Sequence, residues 1–172
     1  MLYVEKHYEI VRGKKRLVID YQPLNMILQD GKFPLPKRQS MFTYLKNAHF
    51  FSKFDFKSEF WQLGIKPSDH YKTAFCIPNA HYQWTVLPFG LKTTPSIFQK
   101  TMVQIFQPIL HSALIYIEDI LLFSGTQDDH RHLLNQFFNI IQSHGIMLST
   151  KKSTIATTNI EFLGKIIKDG HY

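Results

Sequence analysis

Three acidic residues stand where apolar runs end. Glu118 and Asp119 lie side by side between two β-rich stretches of Ser112–Ser124 (SALIYIEDILLFS), and Asp55 closes the apolar run FFSKFD. Adjacent carboxylates repel, at a cost in stability unless a cation or water relieves them. The bland reading is a solvated turn. Against it, the turn lacks the Gly or Asn that a two-residue hairpin uses for positive φ. If the strand ending at Asp55 lies beside the hairpin, three carboxylates can meet at one point. An oxygen-only ligand set suits Mg²⁺ or Mn²⁺ rather than zinc. Two such ions, about 3.5–4 Å apart, can clamp the attacking and leaving oxygens of a phosphoryl transfer.

The elements that must carry these acids can be read from periodicity. Tyr8–Val11 and Leu17–Asp20 read as strands around a basic turn, Arg12-Gly13-Lys14-Lys15, and Asp30–Pro36 reads as a loop broken by Gly31, Pro34 and Pro36. A strand is expected over His49–Phe56, and a strand pair over Tyr71–Ile77 and Tyr82–Leu87 around Pro78-Asn79. Thr94 and Pro95 open a helix with Phe98, Met102, Ile105 and Ile109 at helical spacing. A second helix starts at Thr126, with Asp129 completing a capping box and Gly145 as a left-handed stop. Its expected buried face is Leu133, Leu134, Phe137, Phe138 and Ile141, and Ile160–Ile167 reads as a last strand with Gly164 inside it. The implied fold is α+β, two layers with two helices against an antiparallel sheet.

Composition sets the class of partner. The 172 residues hold 20 Lys and Arg against 13 Asp and Glu, a formal charge of +7 that favours a polyanion. One cysteine, Cys76, excludes an internal disulfide framework and a cysteine-rich zinc site. No apolar stretch approaches the roughly 18 residues of a membrane span, so no membrane partner is expected. The nine His show no ligand pattern. His81, Tyr82 and Trp84 are read as sheet packing, and Trp61 as a core aromatic.

Six blocks in order carry a resemblance: RGKKRLVIDYQPLN, FPLP, FSKFDFKSEFWQLGI, HYQWTVLPFGLKTTPSIFQKTM, YIEDILLFS and NIEFLGKII. Together they resemble a reverse transcriptase of the gypsy-type retrotransposon or plant pararetrovirus (caulimovirus-like) branch, over nearly the whole chain. The resemblance implies the fingers and palm of a right-hand polymerase within 1–172, with thumb, connection and ribonuclease H outside it. It implies an RNA-directed DNA polymerase, a nucleotidyltransferase adding deoxynucleotides to a primer 3′-hydroxyl on RNA or DNA. Asp55, Glu118 and Asp119 then match the catalytic acids, holding two Mg²⁺ or Mn²⁺ ions. Arg16, Phe60, Phe89 and Gly90, with Leu91, match the nucleotide site, Arg16 on the triphosphate and Phe60 under the sugar. Lys14, Lys15, Tyr116, Leu163 and Gly164 match contacts to nucleic acid, the last two opening a primer-grip hairpin. The implied partners are template–primer, deoxynucleoside triphosphates, and the protease and ribonuclease H of a retroelement polyprotein, within a cell or virus-like particle.

Three positions depart from that pattern. Glu118 stands where the family has the first aspartate of its Tyr-x-Asp-Asp turn, Glu59 replaces a glycine, and Gln22 replaces a frequent arginine. The longer Glu118 side chain moves its carboxylate by about 1.5 Å. These changes keep a second reading open, a catalytically silent fragment of a decayed element that binds nucleic acid. A third is an unrelated sheet-based RNA-binding module, which has no need of Asp55 beside Glu118-Asp119.

Overall fold

The apolar runs pair into small antiparallel sheets with short helices between them. The computed structural model describes residues 2–4, 16–31, 33–168 and 171–172, with the backbone alone through residue 18. Its elements are β1 (Leu2–Val4), β2 (Arg16–Val18), α1 (Gln22–Ile27), α2 (Arg38–Phe42), β3 (Phe50–Asp55), β4 (Phe75–Ile77) and β5 (Ala80–Tyr82). Then follow α3 (Thr94–Ile105), β6 (Ala113–Tyr116), β7 (Asp119–Ser124), α4 (Gln127–His144), β8 (Thr154–Thr157), β9 (Asn159–Phe162) and β10 (Lys165–Lys168). Two units result, residues 1–32 with 60–95, and residues 33–59 with 96–172. Among the described residues no helix is long and apolar enough to cross a membrane.

The first unit contains two antiparallel strand pairs and a group of stacked aromatic rings. β2 pairs with β1, Arg16 opposite Val4, while the expected strand Tyr8–Val11 and its basic turn lie outside the described residues. β4 and β5 pair around Pro78-Asn79, with Asn79 at φ 64° as the turn requires. The expected strand Tyr71–Ile77 began too early, and the expected Tyr82–Leu87 shares only Tyr82 with β5. Pro67–Thr73 is a 3-10 helix, its turns closed by bonds such as Asp69 N–H to Lys66 O (2.8 Å) and Ala74 N–H to Tyr71 O (3.2 Å). Beyond Tyr82 the chain leaves β4: Trp84 N–H donates to Thr73 Oγ1 (3.0 Å), and Leu87 N–H to Leu63 O (2.9 Å). Trp61, expected in the core, is 44% exposed and stacks on Trp84, with ring centroids 5.9 Å apart. Burial of the Tyr21 hydroxyl, opposed by the Trp84 indole, raises its pKa to about 12.

The second unit contains the four-stranded antiparallel sheet, in the order β6-β7-β3-β8. Strand alternation divides its side chains between two faces. On one face Phe51, Leu121, Phe123 and Leu114 pack with Met41 and Phe42 of α2 and with Phe162 and Ile167 of the β9–β10 hairpin. On the other, Phe54 stacks on Phe137 of α4 (4.5 Å), and Phe56, just past β3, meets Phe98 of α3 edge-on (5.4 Å). Both predicted helices therefore lie on this face. α4 has the predicted caps: Thr126 Oγ1 accepts from Asp129 N–H (3.1 Å), and Gly145 takes φ 63°. Its apolar face is narrower than expected, because Phe138 is 41% exposed and Leu134 and Ile141 are half-buried, whereas His130 is buried. The run Ile160–Ile167 is two strands rather than one. Leu163 (φ 50°) and Gly164 (φ 80°) turn it, with Phe162 opposite Lys165.

Candidate active site

The acids sit where three strand ends meet. Asp55 is the last residue of β3 and pairs across the ladder with Asp119, the first residue of β7. Such cross-strand neighbours have Cα atoms about 5 Å apart and share one face. Asp119 also pairs with Tyr116 of β6, leaving Ile117 and Glu118 as a two-residue turn. Phe56 N–H donates to the Glu118 carbonyl (3.1 Å), so the turn and the end of β3 are joined by backbone as well.

The missing glycine has a structural consequence. Ile117, a β-branched residue, adopts φ 52°, the left-handed region that glycine occupies without strain. Gln99 of α3, 1% exposed, holds it there. Its Nε2 donates to Ile115 O (2.8 Å) and its Oε1 accepts from Ile117 N–H (2.7 Å). Both ends of one buried amide are spent on the turn that carries the acids.

Cations surround the acid pair. Lys152 Nζ lies 2.9 Å from Asp55 Oδ2, with the Asp55 side chain 13% exposed. The Ser149 N–H donates to the Asp55 carbonyl (2.8 Å), fixing the start of the Thr150–Lys152 turn against β3. Lys53, two residues before Asp55, donates to Glu161 O (3.1 Å). Arg38 stacks over the Tyr116 ring at 5.1 Å. Burial raises the pKa of Asp119, Asp55 adds to the rise, and Lys53, Lys152 and Arg38 oppose it. A carboxylate so desolvated gains from any cation brought to it.

The structure brings together two of the three predicted acids, Asp55 and Asp119. Among the described residues no three His, Cys, Asp or Glu side chains group closely enough to hold a metal ion. The Asp55–Asp119 pair still suits a hard divalent cation: both ligands are carboxylates, and one of them already binds a cationic ammonium.

The other predicted residues divide between the units. Arg16 opens β2. Lys14 and Lys15 lie outside the described residues. Phe60 is buried in a 3-10 turn and packs against Phe89, centroids 5.3 Å apart. Gly90 takes φ 93°, its carbonyl accepts from Asn25 Nδ2 (2.8 Å), and a Cβ there would lie 3.4 Å from Ile19 O. Tyr116, Leu163 and Gly164 belong to the second unit with the acids. Gln22 and Glu59 also have places: Gln22 opens α1 from an Asp20-bonded N–H, and Glu59 adopts φ 45°. That left-handed value explains why glycine suits position 59. Sequence reasoning missed Gln99, Lys152 and Arg38. Gln99 was findable, because it falls three and seven residues before Met102 and Phe106 on the buried stripe of α3.

Comparisons with known proteins give the family and the fold. The family model for reverse transcriptase (RNA-dependent DNA polymerase) matches residues 4–167. The genome polyprotein of Petunia vein clearing virus is 59% identical over 170 residues, 99% of this chain and 8% of that protein. The enzymatic polyprotein of Cauliflower mosaic virus is 38% identical over 167 residues, 97% of this chain and 25% of that one. The chain thus spans a quarter or less of these two relatives. Among solved structures, the foamy viral protease-reverse transcriptase in complex with double-stranded DNA superposes with TM-score 0.87 at 27% identity, over 97% of this chain and 29% of that one. The foamy viral enzyme in complex with RNA/DNA hybrid gives 0.82 at 25% identity, over 97% of this chain and 22% of that one.

Proposed function

The chain belongs to the reverse transcriptase family, and from that premise we propose that it is the fingers and palm of an RNA-directed DNA polymerase. The single observation that carries this reading is the cross-strand pairing of Asp55 with Asp119 at one end of the four-stranded sheet. The reaction is addition of deoxynucleotides to a primer 3′-hydroxyl on an RNA or DNA template. Asp55 and Asp119 would hold Mg²⁺ or Mn²⁺, two ions in the complete site, with Glu118 as a third oxygen donor when the turn adjusts. When bound, the metal supplies a lowered 3′-hydroxyl pKa and stabilises charge on the departing pyrophosphate.

The chain's own residues supply the rest. Lys152, Lys53 and Arg38 offset the acids and present positive charge to a triphosphate. Arg16 is suited to bidentate pairing with phosphate oxygens. Phe60, backed by Phe89, is the candidate floor under the sugar, and Gly90 lets backbone approach the nucleotide. Lys14, Lys15, Tyr116, Leu163 and Gly164 are the candidate contacts to template–primer. The double-stranded DNA and RNA/DNA hybrid of the foamy viral structures support a duplex partner. The polyprotein relatives support further domains beside this one, which in this reading are a protease and a ribonuclease H, and a place inside the cell or a virus-like particle.

Primer extension by the full chain with Mg²⁺ or Mn²⁺ tests the reading. Extension that disappears in Asp55→Asn while duplex binding persists supports it, and metal-independent extension overturns it. Glutamate at position 118, where the resembled family has aspartate, favours one second reading, a silent nucleic-acid-binding domain. In that case the native chain binds duplex with steep salt dependence, does not extend primers, and gains no activity from Glu118→Asp.

A further inference from the structure

The interior of the second unit holds a polar chain for which the proposed reaction has no use. Ser52 of β3 is 0% exposed and His130 of α4 is 1% exposed. Ala156 N–H donates to Ser52 Oγ (2.9 Å), Ser52 Oγ lies 2.7 Å from His130 Nε2, and His130 Nδ1 lies 3.0 Å from Ser124 Oγ. The Ser124 hydroxyl donates to Thr126 O (2.9 Å). The ends fix the direction of every bond. A backbone N–H can only donate, and a carbonyl can only accept. The Ser124 proton is spent on Thr126, so its oxygen accepts from Nδ1–H, and Nε2 accepts the Ser52 hydroxyl. His130 is therefore the neutral Nδ1–H tautomer, and no donor or acceptor in the chain is wasted.

The chain ends on an irregularity in the sheet. β3 and β8 pair Phe51 with Thr157 and Lys53 with Thr154, two steps on one strand against three on the other. The extra residue is a bulge, and within it Ala156 adopts φ 52°, a costly value for any residue with a Cβ. Ser52 Oγ takes the N–H that this conformation turns away from the ladder. The register has a consequence for the acids. Lys152, whose ammonium lies on the Asp55 carboxylate, ends the Thr150–Lys152 turn two residues before Thr154, while Ser149 N–H bonds the Asp55 carbonyl at the other end of that turn. Closing the bulge with Thr157 held opposite Phe51 would set Ile155 instead of Thr154 against Lys53, about 3.3 Å of slip that pulls the Lys152 end of the turn away from its place while Ser149 stays bonded to Asp55.

We infer that Ser52 and His130 form a register lock, positioning Lys152 on Asp55 by holding the Ala156 bulge open. The register itself is independent of the polymerase reading, and only its effect on turnover rests on that reading. The test follows the full chain by NMR and by primer extension. In the native protein, cross-strand NOEs join Lys53 to Thr154, and the His130 ring ¹⁵N shifts report Nδ1–H. In Ser52→Ala the Lys53 contact moves to Ile155, and Ser52→Thr, which keeps the hydroxyl, restores Thr154. His130→Leu shifts the same contact from the other side of the bond, should Ser52→Ala fail to fold. In primer extension, Ser52→Ala lowers kcat about 100-fold with little change in KM, the effect of a 1 Å-scale misplacement. In a Lys152→Ala background the same change adds less than twofold. Retention of the Lys53–Thr154 contact in both Ser52→Ala and His130→Leu overturns the lock. Equal losses with and without Lys152 overturn its link to Asp55. A native chain that extends no primer defeats the polymerase reading alone, since the NOE pattern still decides the register.

Discussion

Two hairpin turns in the second unit solve one geometric problem in opposite ways. Between β9 and β10 the turn is Leu163-Gly164, at φ 50° and 80°, and its glycine takes the second left-handed position without a Cβ penalty. Between β6 and β7 the turn is Ile117-Glu118, where a β-branched residue takes φ 52° and a buried glutamine amide holds it. Leu163 carries a left-handed penalty of the same kind as Ile117, but the first turn has glycine beside it, whereas the second has none and is held by the Gln99 amide. Strain of this kind collects where side chains must be aimed, and here it lies at the Asp55–Asp119 pair.

Breaking the imposed turn should have the largest effect. Gln99→Leu leaves the Ile117 N–H and Ile115 carbonyl buried without partners, a loss of about 2–4 kcal/mol in denaturant unfolding. Primer extension should fall with it. Thr126→Ala removes the α4 cap and should cost about 1 kcal/mol, well away from either hairpin, so extension should be spared. Ile117→Gly and Gly164→Ala form a matched pair. The first should stabilise by about 0.5–1 kcal/mol through relief of the left-handed conformation, and the second should destabilise by a similar amount. If both destabilise, the Ile117 turn is not strained. Glu59→Gly extends the comparison to a third left-handed residue, with a gain of about 0.5–1 kcal/mol expected.

The smallest effect is a pH dependence away from the turns. Burial lowers the His130 pKa from its ordinary 6.5, and the positive end of α4 acts in the same direction. Phe50 faces the ring from β3, and Asp128, Asp129 and Arg131 flank it on the helix. Below pH 6.5 the unfolded chain takes up a proton that the folded imidazole refuses. Stability is therefore full above that pH, and falls as pH drops from 6.5 towards the lowered folded value. Denaturant midpoints at pH 7.5 and 5.5 should show this fall, and His130→Leu should flatten it.

Elements whose signals are local were legible in the sequence. Thr126, Asp129 and Gly145 announced both ends of α4, and the apolar runs announced β3, β6 and β7. The pairing of Asp55 with Asp119 followed from acids placed at the ends of those runs. Short helices were not legible: α2 follows Lys37, whose side chain makes no cap bond, and at five residues has too little periodicity to read. Tyr71–Thr73 looked like strand because aromatic composition cannot separate a 3-10 turn from an edge strand. Gln99 and His130 were given no role from the sequence. Each lies three and seven residues before buried apolar positions, Met102 and Phe106 for one and Leu133 and Phe137 for the other. A polar side chain on a buried stripe was the available signal. Lys152 gave none, because its partner is 97 residues away.

Paramagnetic broadening by Mn²⁺ tests the acid pair most directly. Titrated into the ¹⁵N-labelled full chain, Mn²⁺ should first erase the amide signals of Asp55, Asp119 and their strand neighbours. Asp119→Asn should abolish that broadening at the same metal concentration while the sheet signals remain. Broadening centred elsewhere, or unchanged in Asp119→Asn, would contradict a metal-binding role for the paired carboxylates.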